Sequence, residues 1–209
     1  MAGHKSGLRK LHRSHACNPV VRAVIGMNSF MQLETHQLEP FFHDAVRTSY
    51  EGRLGLGPEI TGYVSRLLCD FSEPENLFRL RDANGRPIED LAEMVRASDP
   101  VLGTAPSFIA ERSIRKYIGD YSLFLAGMCP EAIELEPERK TTRPTLSELI
   151  HTGRESYFIV GQFNVFEYEQ EAQLFTRLSE IFERCVLGLA LVRRELWRTL
   201  NPPTPVIKP

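Results

Sequence analysis

Apolar residues recur at helical spacing in several separate segments of this chain. Ile60, Val64, Leu67, Leu68 and Phe71 follow one another at i, i+4, i+7, i+8 and i+11, which is the stripe of an amphipathic helix. Prolines at 40 and 58 stand where first helical residues are expected. The pattern predicts an all-α fold.

The segment between residues 114 and 128 is apolar on one side of a helix and small on the other. Ile114, Ile118, Tyr121, Leu125 and Met128 recur at spacings of four and three, and the opposite side carries two glycines and an alanine. A helix of this kind packs on both sides. We therefore expect it to be the central member of a helical bundle.

The clearest helix start in the chain is Thr145-Leu-Ser-Glu148. This is a capping box, in which the threonine hydroxyl accepts from the backbone of the glutamate while the glutamate side chain reaches back to the backbone of the threonine. The sequence predicts a helix from this point, with Leu149, Gly153 and Tyr157 on its buried face.

The last apolar stripe runs from about residue 167 to residue 200. One unbroken helix of that length would measure roughly 50 Å, which exceeds the width of a small domain. It either kinks near Gly188 or projects and requires a partner. Because the stripe continues to Leu196, with Trp197 beside it, we expect these two residues to form an interface with a second copy or another protein.

These patterns together predict a single-domain bundle of about six helices over residues 34–200, with a long C-terminal helix. Residues 1–33 hold five basic residues, three histidines and no acid. Transit peptides and nucleic-acid-binding arms share this composition, but with no motif we interpret the segment as a disordered tail. Residues 201–209 contain four prolines and form a second tail.

Composition narrows the class of protein further. The 209 residues are 42% apolar and carry a formal charge of -2, and the longest apolar run is the eight residues 185–192. These values exclude a membrane-spanning protein and argue against nucleic-acid binding. The four cysteines are far apart, which fits reduced thiols in the cytoplasm.

The run GDYSLFLAGMCPE at 119–131 and the later GRESY at 153–157 are similar to those of an uncharacterised bacterial family of helical proteins. The wider resemblance covers about residues 38–196, without the two tails. It implies an all-helical bacterial protein. It brings no activity, cofactor or catalytic residue to this chain.

Two Glu/His pairs are the candidates for a metal site. Glu148 and His151 form a single ExxH, and Glu39 and His43 lie one turn apart on the first helix. A di-metal site in a bundle requires two ExxH helices and two further acids. Since Glu148 already has a role in the capping box and His151 falls on the solvent side, the pattern favours structural roles and no metal cofactor.

Asp120 is the other candidate, because it is an acid in an otherwise apolar stretch. A buried carboxylate can act as an acid or base. However, Lys116 precedes it by one turn, and an i, i+4 ion pair is the commoner outcome. Tyr121 and Ser122 add hydroxyls, but no histidine is close in sequence.

The sequence therefore favours a non-catalytic helical protein that acts through protein–protein contacts or self-assembly, without cofactors. The alternative is a small helical-bundle metal protein or enzyme with a carboxylate and histidine site. A third hypothesis is a ligand-binding bundle whose pocket is lined by Phe124, Tyr157, Phe158 and Phe163.

Overall fold

A computed structural model describes residues 35–130, 144–164 and 168–200. Those residues form seven α-helices, and the fold is all-α, as the periodicity predicts. The predicted tails lie outside the described residues. The helices are α1 Thr35–Arg47, α2 Pro58–Ser72, α3 Leu91–Ser98, α4 Phe108–Met128, α5 Leu146–Gln162, α6 Glu169–Glu180 and α7 Phe182–Leu200.

Of the two prolines predicted as first helical residues, one begins a helix and the other does not. Pro58 is the first residue of α2, as predicted, and its missing amide costs nothing there. Pro40 instead lies inside α1, which begins at Thr35. A π-helical segment, Thr48–Arg53, continues α1 and buries Tyr50 before the turn to α2.

Helix α4 is the central element of the bundle, as its two-sided pattern predicts. Every residue from 117 to 129 except Asp120 is buried, because α4 packs against α5, α7, α3 and α2. Its N-terminus is capped by the Ser107 hydroxyl, which accepts from the amide of Ala110. Its position places the residues of α4 at the junction of most of the other helices.

The long C-terminal helix is confirmed as α7, but the apolar stripe over residues 167–200 belongs to two helices, and the break between them lies at Ile181 rather than near Gly188. Helix α6 ends at Glu180, Ile181 leaves the helical conformation with φ -109° and ψ 20°, and α7 begins at Phe182. The break lets α6 pack mainly on α5 while α7 packs on α4 and α1. With its 19 residues, α7 spans about 28 Å, so no length is left over to project.

Gly188 is not a kink, because it lies within the continuous helix α7. A Cβ at this position would overlap the ring of Tyr50. That ring is fully buried, and its hydroxyl donates to the carbonyl oxygen of Cys185 at 2.6 Å. Gly188 therefore permits close approach of the two segments.

Candidate functional site

The side chain of Asp120 connects three helices. Its Oδ1 accepts hydrogen bonds from the hydroxyls of Tyr63 on α2 and Tyr157 on α5, the latter at 2.7 Å. Its Oδ2 accepts from Nζ of Lys116 at 3.1 Å, which confirms the predicted i, i+4 pair. The carboxylate is thus bound by two hydroxyls and one ammonium, and hydrogen bonds of this charge-assisted kind are among the strongest in proteins.

Both tyrosines of this cluster are buried donors. Burial raises the pKa of Tyr63 and of Tyr157 well above the ordinary 10.0, and the neighbouring Asp120 carboxylate raises it further. Both hydroxyls therefore keep their protons and donate. Phe175 of α6 meets the ring of Tyr63 edge-on at 5.4 Å, and the Lys116 ammonium lies 5.1 Å from the Tyr63 centroid.

Close packing of α4 on α5 brings these groups together. A Cβ on Gly119 would overlap the ring of Tyr157, and a Cβ on Gly153 would overlap Phe182 and approach Ser122. Residues 119–122 of α4 and 153–157 of α5 therefore face each other across one helix–helix contact. Gly119 and Gly153 permit this close approach.

A shallow cleft of about 270 Å³ opens beside Asp120. Its lining consists of the Tyr63–Lys116–Asp120 cluster together with Glu39, Arg66, Leu67, Cys69 and Asp70. Burial, followed by the charges of Glu39 and Asp70, raises the pKa of the Cys69 thiol to about 11. The thiol is therefore protonated at neutral pH and is a poor nucleophile.

The Asp120 carboxylate accordingly links helices α2, α4 and α5. Oδ1 uses both lone pairs on buried hydroxyls, and Oδ2 faces an ammonium. A general base needs an oxygen that can reach the proton of a substrate. The cluster fits the structural interpretation of the Lys116–Asp120 pair, extended by two tyrosines.

The metal candidates occupy separate surfaces of the molecule. Glu148 is the N3 acid of the capping box: its Oε2 accepts from the Thr145 amide at 2.7 Å, which lowers the pKa of Glu148. His43 and His151 are exposed, and Glu39 borders the Asp120 cleft. Within the described ranges, no three His, Cys, Asp or Glu side chains converge as metal ligands would.

The four aromatic residues of the ligand-pocket hypothesis have different surroundings. Phe124 and Tyr157 are fully buried in the hydrophobic core, where Phe124 packs edge-on against Phe71. Phe163 is half-buried and Phe158 is exposed. Two of the four therefore serve packing of the core.

The predicted interface residues at the end of α7 differ in burial. Leu196 belongs to the hydrophobic core, so the expectation that it is exposed in a single chain is wrong. It is covered because the break at Ile181 lays α7 along α4 and α1. Trp197 is 63% exposed, and an intermolecular contact through it stays a prediction.

Among the described residues, four of the exposed large apolar side chains follow one another in the chain between the end of α3 and the start of α4. Val101, Leu102, Phe108 and Ile109 are each between 61% and 86% exposed. Large apolar side chains that are exposed together mark interaction sites in soluble proteins. We refer to these four residues as the apolar loop surface.

The loop that carries this surface is held by its own polar groups. The Asp99 carboxylate accepts from the amides of Val101 and Leu102 at 2.7 and 2.9 Å, which lowers the pKa of Asp99. Gly103 lies so close to the end of α3 that a Cβ would overlap the Arg96 carbonyl oxygen. The exposed pair is therefore displayed on an ordered turn.

Sequence reasoning missed this surface, although a signal for it exists. Residues 99–109 read DPVLGTAPSFI, and two apolar pairs are separated there by turn residues and by an N-cap serine. Loop residues of that kind are usually polar. An apolar pair on each side of a helix start is the pattern that would have indicated the surface.

The chain was compared with protein-family models, with curated proteins and with solved structures, and none of them matches it. Among the described helices, none combines the length and the apolar character that a membrane crossing needs.

Proposed function

We propose that this protein is a non-catalytic helical interaction module that binds a protein partner through the apolar loop surface. The observation that carries the proposal is the exposure of four large apolar side chains that are close in the chain. Val101 and Leu102 lie on the turn held by Asp99, and Phe108 and Ile109 begin α4. An ordered apolar surface loses little conformational entropy when it is covered, and this favours association.

The chemistry of the molecule supports a contact role over the enzymatic alternative. Asp120, the strongest candidate for an acid or base, is engaged by Tyr63, Tyr157 and Lys116. Glu148 is engaged by the capping box. Both acids therefore have structural roles that account for their positions.

The experiment compares two variants of the full chain as baits in cells that express the protein naturally. Val101→Ser with Leu102→Ser changes only exposed side chains, so the free energy of unfolding should move by less than about 0.5 kcal/mol. Leu187→Ser is the matched control, because Leu187 is also an exposed leucine but lies on α7.

A partner should be retained by the wild type and by Leu187→Ser and lost from the loop variant, and purified partner should bind with the same ranking. Cross-links from the loop to that partner would confirm direct contact. Equal retention by all three proteins would contradict the proposal, as would loss from both variants.

A further inference from the structure

The exposed side of α7 carries opposite charges at its two ends. Glu183 and Leu187 lie near the start of the helix, and Arg194 and Arg198 lie near its end. At 3.6 residues per turn, these four positions fall within about 60° of the helix circumference. All four residues are exposed. This side of the helix is therefore acidic at one end and basic at the other.

The middle of the same side is small and apolar. Ala190 and Leu191 lie halfway along it and are half-buried, and Leu187 is 52% exposed. The opposite side of α7 places Leu189 and Leu196 in the hydrophobic core, so the exposed side cannot turn inward. We refer to the residues of the exposed side as the α7 face: Glu183, Leu187, Ala190, Leu191, Arg194 and Arg198.

The charges of the α7 face are weakly compensated within one chain. Glu183 Oε1 lies 4.0 Å from Nη1 of Arg154, and both side chains are more than half exposed. An exposed ion pair of this length contributes little. Arg194 and Arg198 lie one turn apart, and like charges at i, i+4 repel each other. Opposite charges from outside the chain would therefore stabilise both ends of the face.

A second copy of α7 in antiparallel orientation supplies those charges. With a two-fold axis between Ala190 and Leu191, Glu183 of one copy lies opposite Arg198 of the second copy. An isologous interface repeats this contact at its other end. In a parallel pair, each glutamate would instead face a glutamate and each arginine an arginine. The charge pattern therefore selects the antiparallel arrangement.

We infer that this chain forms an antiparallel homodimer through the α7 face, with Glu183 and Arg198 paired at both ends. Leu187 and Leu191 lie between the charged ends and form the apolar centre of the contact. Trp197 borders the face, where a large aromatic side chain can cover part of the second copy. One helix from each copy is a small interface, so the dimer is weak and reversible. The inference is independent of docking at the apolar loop surface.

The first arm of the test measures the dissociation constant of the dimer by sedimentation equilibrium at low salt. Glu183→Arg and Arg198→Glu each place like charges at both ends of their own homodimer, so the constant should rise about tenfold or more. Glu59→Arg is the matched control, because Glu59 is exposed on α2, which packs mainly on α1. This control, and Val101→Ser with Leu102→Ser, should dimerise like the wild type.

The second arm mixes variants and detects heterodimers by native mass spectrometry. Glu183→Arg and Arg198→Glu carry opposite charges at both ends of their shared interface, so this mixture should form heterodimers about as tightly as the wild type dimerises. Recovery on mixing would show that both variants are folded. Glu59→Arg mixed with Arg198→Glu has the same two net charges but keeps one repulsive end, so its heterodimers should be weaker.

Three results would overturn the inference. They are a wild type that stays monomeric at high concentration, single charge reversals that dimerise as tightly as the wild type, and no recovery on mixing. In the first case, the α7 face would be left to a different protein or to solvent. Loss of the dimer in the loop variant would also overturn it, since the interface would then be the apolar loop surface.

The two proposals fail independently. Leu187→Ser should weaken the dimer but should still capture the partner of the apolar loop surface. Absence of such a partner would contradict the proposed function and would leave the dimer unchanged.

Discussion

At the scale of the residue, the polar groups inside this bundle differ in how many hydrogen-bond partners they have. Asp120 is tolerated near the core because three donors from three side chains meet it. The Asp99 carboxylate accepts hydrogen bonds from two backbone amides of its own turn. Arg115 differs from both, because its Nε and Nη1 are buried without a hydrogen-bond partner among the described residues.

A comparison of two buried tyrosines tests the Asp120 cluster. Tyr157→Phe removes a bond to a carboxylate, so it should cost about 1.5–3 kcal/mol of unfolding free energy. Tyr117→Phe removes a bond to the Leu77 carbonyl oxygen, a neutral acceptor, and should cost only about 0.5–1.5 kcal/mol. Urea unfolding at neutral pH measures both. Equal losses would show that the carboxylate adds nothing beyond an ordinary acceptor.

The turn at Asp99 should respond to acid. Because the backbone amides of Leu102 and Val101 lower the pKa of Asp99, its bonds should be complete above the unfolded value of about 3.9. They should weaken as the pH falls through the lower value of the folded protein. Amide NMR shifts of Val101 and Leu102 follow this change.

Asp99→Asn is the control for that titration, since its amide oxygen also accepts hydrogen bonds but does not titrate. The two amide signals should then be insensitive to acid over the same range. A titration at or above the ordinary aspartate value in the wild type would contradict the bonding seen at this turn.

At the scale of the element, close approach and capping decide where helices pack and where they begin. Gly119 and Gly153 let α4 and α5 meet, and the Thr145–Glu148 box fixes the start of α5. The break at Ile181 divides the last stripe between two packing partners. Single substitutions can test the close approach of helices and the capping box.

Two glycines inside helices should respond to alanine in opposite directions. Gly188→Ala places a methyl group against the buried ring of Tyr50, so we expect a loss of about 1–3 kcal/mol through overpacking. In Gly62→Ala, the nearest atom to the new methyl is 3.7 Å away on the Arg66 side chain. That variant should gain up to about 1 kcal/mol, because alanine is the better helix former.

Denaturant unfolding provides the comparison, with unchanged slopes as the control for unaltered compactness. If both glycine variants were stabilised, Gly188 would not be holding the α7–Tyr50 contact.

The capping box gives a second pair of variants. Thr145→Ala removes the hydroxyl that accepts from the Glu148 amide at 3.2 Å, and should cost about 1 kcal/mol. Glu148→Gln should be nearly silent at neutral pH, since its amide oxygen still reaches the Thr145 backbone. Thermal unfolding followed by circular dichroism measures both. A bound metal lost only in Glu148→Gln would refute the capping explanation.

At the scale of the whole molecule, the core is continuous from α1 to α7 and already covers most of the C-terminal stripe. The large apolar side chains that remain exposed among the described residues are the apolar loop surface, Leu146 and Phe158 on α5, and Leu187 and Trp197 on α7. The described surface thus offers apolar contacts at more than one place. We retain self-association through Trp197 as a prediction separate from the loop.

Substitutions of the neighbouring residues Leu196 and Trp197 should differ in their effects on stability and on the solution mass. Leu196→Ala should cost about 2–5 kcal/mol, because Leu196 is in the core, and should leave the solution mass unchanged. Trp197→Ser should leave stability within about 0.5 kcal/mol and convert an oligomer into a smaller folded species. Light scattering and urea unfolding measure the two effects. A wild type that is strictly monomeric at high concentration would end this prediction.

The sequence by itself determined the helical class, the central position of α4, the start of α5 and the Lys116–Asp120 pair. These features depend on contacts within a few residues, which periodicity and caps record directly. The break at Ile181 was not visible, since Ile181 continues the apolar stripe and no proline or glycine marks it.

Only the tertiary structure decided what the isolated residues contact. Tyr63 and Tyr157 reach Asp120 from positions 57 and 37 residues away, and no local pattern encodes such a meeting. Burial of Leu196 and exposure of Leu102 likewise depend on which helix lies above each residue. Hydrophobicity is a property of the residue, but the surface left uncovered is a property of the packed bundle, and the proposed docking site follows from the packing.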